Sequence, residues 1–434
     1  MSASSTVRPR SRRTHVVDAA RGAAVVFMIA WHTADAWLGA EVRDGVAFRV
    51  LRITGGLAAP LFLLLAGVAV GLTEPEVHDR QSTIGALRRA GQIATLGYAL
   101  KLFSFGIDRA GLVGPHAGWV IAGALGLGCV HASLGALGGL TSRFRTPAVR
   151  ATFALLGLTL YLALLIALEG DRRALELVLR LDVLQGIGAC LAVLALAMPA
   201  TTRGSSLLGP VATLVVLAIG VALVTPTLGA LDLRIDGEPL RRTLDYLARF
   251  TPYPGPTGAR FPLFPWLAYA LLGAAMGRAM VGRALPAPFA LPAPLRARWV
   301  MIVAVLIAVT FFEPNPLPQL LLAPGELVRN MVRVIFNVAV AMTIAGALAT
   351  FAANGPAPAR ALALLGRHSL LLYAVHLEIA YGLPTVPIQR ALGYVGWALG
   401  ASLLFVAMIS LSWGLERRRN STRRAEGSSS AMQA

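Results

Sequence analysis

The chemically richest stretch of this chain lies near its start, where Asp18, Arg21, His32 and Asp35 fall within one apolar run. A helical residue advances by about 100°. Arg21 and His32, eleven positions apart, therefore differ by roughly 20° in azimuth and about 16 Å in height. Asp18 and Asp35 extend the same stripe at i, i+3 spacing. One end offers a guanidinium beside a carboxylate, the other an imidazole beside a carboxylate. The stripe suits a ligand lying along the helix, its anionic end at Arg21 and its reactive end at His32. The plainer readings are an Arg21 that snorkels to headgroups with Asp18 as partner, and a His32 that hydrogen-bonds a neighbouring helix. The shared stripe counts against holding both at once.

Two further sets carry polar chemistry. Ser369, Tyr373 and His376 follow i, i+4, i+7 spacing and form one helical face, with Arg367 and His368 just before them. On a helix running outward, His376 reaches roughly 22 Å above the inner boundary, close to the depth of His32. Two histidines at matching depth suggest one polar cavity, against the plain reading of a structural hydrogen bond from each. The third set is Arg180, Asp182 and Gln185. Arg180 and Asp182 stand two apart and do not share a helical face, so each needs a partner from another helix or from water. Gln185 fits a polar ligand or a packing role equally well. No phosphate loop, zinc-spaced cysteine pair or His-Glu-x-x-His helix is present, and no metal site is expected. Gly67 with Gly71 and Gly273 with Gly277 are weak signs of close helix packing.

The elements that must hold these residues are membrane spans. The 434-residue chain is 56% hydrophobic and only 14% charged, with a mean hydropathy of +0.68. Soluble domains carry about 25% charged residues. Apolar runs predict spans at 16–38, 53–72, 84–105, 117–139, 150–168, 176–199, 207–229, 262–283, 297–313, 329–352, 361–382 and 392–415. The fold class is therefore an all-α polytopic bundle of about twelve spans, or eleven if the Gly-rich run 117–139 with His131 fails to cross. The net charge of +18 is almost all arginine, Lys101 being the only lysine. These arginines sit in connectors and tails, which speaks for positive-inside topology and anionic lipid rather than nucleic acid. Placing both termini in the cytosol puts Arg88, Arg89, Arg143, Arg145, Arg283 and the 417–419 cluster inside, while the outer connector 314–328 has no basic residue. Residues 1–14 and 417–434 read as disordered basic tails around one membrane domain at 15–416, with a single long loop at 230–261. Cys129 and Cys190 lie in apolar runs and are expected to be free thiols.

The ordered set of motifs resembles the transmembrane acyltransferase superfamily. Within it the chain is most similar to the heparan-α-glucosaminide N-acetyltransferase catalytic-domain family and its bacterial relatives. The matching residues are Val17, Asp18, Arg21, Gly22, Met28 and His32; Leu57, Pro60, Phe62 and Gly67; Asp182, Gln185 and Gly188; Phe261, Pro265, Trp266 and Gly273; and Leu365, Gly366, Arg367, Tyr373 and His376. The resemblance implies transfer of an acyl group, usually acetyl, from cytosolic acetyl-CoA to a sugar or glycan on the far side. His32 would be its catalytic histidine, a general base oriented by Asp35 or a transiently acylated nucleophile. Arg21, Asp18 and Arg367 would serve the donor, and Arg180, Asp182, Gln185, Tyr373 and His376 the acceptor. Acyl-CoA enters as a substrate, with no permanently bound cofactor expected. The rival readings are a multi-span transporter and a non-catalytic exporter of surface-polymer precursors, although no internal repeat of the carrier kind is visible. The lack of an organellar targeting pattern points to a bacterial inner membrane, and association into a homodimer is left open.

Overall fold

The computed structural model describes residues 10–73, 80–108, 116–135, 146–202, 209–232, 247, 261–281 and 356–432. These residues are helical, and the sole strand-like feature among them is a single parallel bridge between Leu38 and Leu392. In chain order the helices are α1 (Arg10–Trp37), α2 (Val46–Gly56), α3 (Ala58–Gly71), α4 (Arg80–Asp108), α5 (Ala117–Ser133), α6 (Pro147–Ala167), α7 (Arg172–Leu179), α8 (Val183–Thr202), α9 (Pro210–Asp232), α10 (Leu263–Met280), α11 (Pro356–Arg367), α12 (Ser369–Tyr381) and α13 (Tyr394–Met432). The expected spans 297–313 and 329–352, and most of the loop 230–261, lie outside the described residues.

Local chemistry accounts for several boundaries. Pro147 opens α6 at a position whose N–H would have no helical partner. Asp171 caps α7 by accepting from the Ala174 N–H at 3.1 Å. Asp182 accepts from the Val183 N–H at 2.9 Å where α8 begins.

Two expected spans are broken. The run 176–199 is α7 and α8 separated by non-helical residues 180–182. The run 361–382 is α11 and α12, bent by 80° at His368. Among the described residues, four helices are long and apolar enough to cross a membrane, or five if that bent pair is one span. The segment read as a disordered C-terminal tail instead continues α13 as helix to Met432.

The chain folds into two units. The first holds α1, α2, the start of α3 and α11 to α13; the second holds the rest of α3 and α4 to α10. In the first, α1 is the hub, packed on α2, α11, α12 and α13. Its crossing with α11 is tight because Gly22 faces the Leu362 carbonyl and Gly366 faces the Asp18 carbonyl, leaving no room for a Cβ on either. Trp37 donates its indole N–H to the Ala380 carbonyl at 2.9 Å, and Trp397 of α13 donates to the Thr33 hydroxyl at 3.1 Å. The bridge at Leu38 adds backbone bonds from Gly39 to Leu392 and from Leu392 to Trp37, both 2.9 Å.

In the second unit, α4 packs on α5, α7 and α8, and α10 packs on α8 and α9. The two Gly-x-x-x-Gly pairs turn out to face each other. Gly67 and Gly71 of α3 abut the carbonyls of Ala270 and Ala274, while Gly273 and Gly277 of α10 abut those of Leu64 and Val68. Helices in hydrocarbon gain nothing from hiding apolar surface from water, so backbone contact of this kind supplies the packing energy. His131 of α5 meets the Thr95 hydroxyl of α4 at 2.9 Å. Cys129 and Cys190 are free thiols.

Outward faces are apolar. Leu155, Leu158, Leu162 and Ile166 of α6, and Val395, Leu399, Leu403 and Val406 of α13, are all more than half exposed at helical spacing. Stripes of that size belong in lipid rather than water. Where the α13 stripe ends, the Arg417 guanidinium stacks 3.5 Å over the Trp413 ring, a pairing suited to a membrane–water interface.

Candidate functional site

The first unit gathers most of the polar residues singled out from the sequence. His32 sits on the last third of α1, and His376 on α12 is fully buried. His32 Nδ1 and His376 Nε2 are 2.8 Å apart, with ring planes only 9° from parallel. The other nitrogen of His376, Nδ1, lies 2.7 Å from the Leu372 carbonyl.

A carbonyl can only accept, so His376 Nδ1 carries the proton. With both rings neutral, its Nε2 then accepts from the Nδ1–H of His32, and the lone pair of His32 falls on Nε2. A peptide carbonyl at one end thus fixes the tautomer of both imidazoles. The helix supplies that carbonyl at i−4, so the sequence of α12 sets the chemistry of α1.

Aromatic rings frame the dyad. Tyr373 meets His376 edge-on at 5.7 Å between centroids, and Tyr381 meets His32 likewise at 5.8 Å. The Tyr381 hydroxyl donates to Asp35 Oδ2 at 2.9 Å.

Asp35, which the i, i+3 spacing put beside His32, is engaged by Tyr381 and by Arg43. Its carboxylate lies 3.4 Å from Arg43 Nη1. Arg43 also donates to the main-chain carbonyls of Asp35 and of Leu38, the latter at 3.1 Å. A cation on the last carbonyls of α1 stabilises the negative end of its dipole. Asp35 holds that cation, and reaches the dyad through Tyr381. Neither Arg43 nor Tyr381 stands out from spacing: one follows a turn and the other lies beyond the i+7 face.

At the opposite end of the helix, Asp18 and Arg21 are 3.9 Å apart, at the crossing where Gly366 abuts Asp18. Arg367, the next residue, pairs with Glu416 of α13 at 2.7 Å, and His368 approaches the same carboxylate at 3.5 Å. The break at His368 places Arg367 on a different helix from Ser369, Tyr373 and His376.

Arg180, Asp182 and Gln185 lie in the second unit, at the break before α8. Lys101 of α4 donates to the Arg180 carbonyl at 2.6 Å and stands 3.8 Å from Asp182. The cross-helix partner that Asp182 requires is therefore the chain's single lysine. Gln185 is buried against Gly97 of α4.

Comparison with known proteins gives one result. The family model described as heparan-alpha-glucosaminide N-acetyltransferase, catalytic, matches residues 13–309, more than half of the chain. No curated protein and no solved structure matches. His32 falls within the matched stretch, whereas His376, the partner that fixes its tautomer, lies beyond it on α12.

Proposed function

The chain belongs to the heparan-alpha-glucosaminide N-acetyltransferase catalytic family, and from that membership we propose that it moves an acetyl group from acetyl-CoA on the cytosolic side to a sugar on the far side. Membership makes it a membrane acyltransferase in kind; the donor, the acceptor and the residue roles are our reading. The observation that carries it is the hydrogen-bonded pair of His32 and His376.

In this reading, His32 Nε2 takes the proton from the acceptor's hydroxyl or amine as that oxygen or nitrogen attacks the thioester carbonyl. The tetrahedral intermediate collapses, the C–S bond breaks, and His32 returns the proton to the departing thiolate to give CoA–SH. Such proton transfer contributes about 10²–10⁴ in rate. His376 positions the ring and supports the cation that forms on it. Asp35 acts at one remove, by fixing Tyr381 against His32. Arg21 with Asp18, and Arg367 after exchanging Glu416, receive the donor's phosphates. Tyr373 serves the acceptor beside the dyad in the first unit, and Arg180, Asp182 and Gln185 are separately read as polar groups for a sugar in the second. About twelve spans with both termini cytosolic would give donor and acceptor opposite sides, in keeping with a bacterial inner membrane.

One observation favours a carrier instead. The helices are interrupted at His368 and at 180–182, and interrupted helices of this kind form the binding elements of many transporters. The two readings separate on covalent outcome. Purified protein given acetyl-CoA labelled in the acetyl group and glucosamine is expected to yield labelled N-acetylglucosamine. Sugar that crosses sealed vesicles unmodified, with no acetyl-CoA bound, would establish the carrier.

A further inference from the structure

The last turn of α10 carries a buried charge without a counter-charge. Arg278 is 7% exposed, and a guanidinium stays charged wherever it sits. Its Nη1 donates to the Thr73 carbonyl, just past the end of α3, at 3.0 Å. Its Nε and Nη2 are buried with no hydrogen-bond partner, and no carboxylate among the described residues pairs with it. A cation capping the end of α3 accounts for Nη1. It leaves the other two nitrogens unexplained, and burying an unpaired charge is costly.

The two idle nitrogens share one edge. Nε–H and Nη2–H of a planar guanidinium point the same way and form the side-on fork that matches two oxygens of one oxyanion. The helix crossing presets this fork. Gly71 of α3 abuts the Ala274 carbonyl and Gly277 of α10 abuts the Val68 carbonyl, so the two helix ends lie close and Arg278 is held on Thr73 through Nη1. The free edge is left facing elsewhere.

Place and charge select the oxyanion. Arg278 closes a helix long and apolar enough to cross a membrane, which puts the fork at the level of lipid headgroups. On the positive-inside reading this end of α10 meets the cytosolic leaflet, where anionic lipid concentrates. A phosphatidylglycerol headgroup has its phosphate as sole charge and neutralises the guanidinium, whereas phosphatidylcholine brings a cation of its own. The fork is shut from water, so a headgroup enters by displacing side chains at the end of α10, where Ala279, Met280 and Val281 are only half-buried. We propose that Arg278, oriented by the Thr73 carbonyl, binds the phosphodiester of an anionic phospholipid. The site is independent of the acetyltransferase reading and would serve a carrier equally.

The test is the thermal midpoint of the full-length protein in non-ionic detergent micelles, titrated separately with phosphatidylglycerol, phosphatidylcholine and coenzyme A. Wild type is expected to be stabilised saturably by phosphatidylglycerol and not by phosphatidylcholine. Arg278→Lys keeps the charge and a donor for Thr73 but loses the fork, so its half-saturating lipid fraction should rise about tenfold. Arg278→Gln should lose the response altogether; should it fail to fold, the lysine variant carries the test. Arg419→Gln, an exposed arginine on α13, is the control and should respond as wild type does. An unchanged lipid response in Arg278→Lys, or equal stabilisation by both lipids, would overturn the site. Stabilisation by coenzyme A that depends on Arg278, with none from phosphatidylglycerol, would overturn it too and make the fork a site for a soluble phosphate.

Discussion

At the scale of single residues, the reactivity of His32 depends on a carbonyl it does not touch. The Leu372 C=O orders His376, and His376 orders His32. Removing the base itself should be the severest change: His32→Ala is expected to lower kcat by about 10²–10⁴, read as acetyl transfer at saturating donor. His376→Ala leaves the base in place but unaligned, and misplacement of a reacting group costs up to about 10²-fold. Its signature should be a lower kcat with the KM for acetyl-CoA nearly unchanged, whereas a merely destabilised protein would show less active enzyme with both constants normal per active site. Asp35→Asn separates a direct from an indirect role. With Asp35 bonded to Arg43 and Tyr381, the variant should lose about 1 kcal/mol of stability at most, the pair being partly exposed, and only a small part of kcat. A loss as large as that of His32→Ala would make Asp35 the direct partner of the base. The sequence showed the stripe on α1 because helical periodicity is local. It did not show the Arg43 partner of Asp35, because Arg43 reaches that carboxylate only after the chain has turned.

At the scale of elements, close backbone contact rather than side-chain bulk fixes the helix pairs. The facing glycines of α3 and α10 leave no space for a Cβ, so Gly67→Leu or Gly273→Val must push the helices apart. Overpacking of this kind costs about 1–3 kcal/mol and should appear as a clear fall in the thermal midpoint in detergent. Gly220→Ala on α9, where nothing lies within 4 Å, is the control and should leave the midpoint unchanged or slightly raised, since alanine is the better helix former. The motif spacing was legible in the sequence; that the two motifs are partners was not, since pairing is a tertiary fact. The breaks at 180–182 and His368 were equally hidden. Hydropathy counts apolar residues and is blind to a bend that leaves composition unchanged. The opposite error occurred at the C-terminus, where polar composition suggested a disordered tail and α13 continues as helix to Met432.

At the scale of the whole molecule, the family match ends at residue 309, yet the site in the first unit is completed by α11, α12 and α13. The last part of the chain packs on the first: Trp37 bonds Ala380, Trp397 bonds Thr33 and Leu38 pairs with Leu392. Truncation after residue 355 should therefore abolish transfer even though the matched stretch is intact, a result read by immunoblot of the membrane fraction beside an activity assay. The most direct test of the account is acetyl transfer in sealed inside-out vesicles, with labelled acetyl-CoA outside and glucosamine trapped within. The account predicts labelled N-acetylglucosamine in the lumen of wild-type vesicles and a rate at least about a hundredfold lower with His32→Ala. Equal luminal product from the two proteins would contradict it.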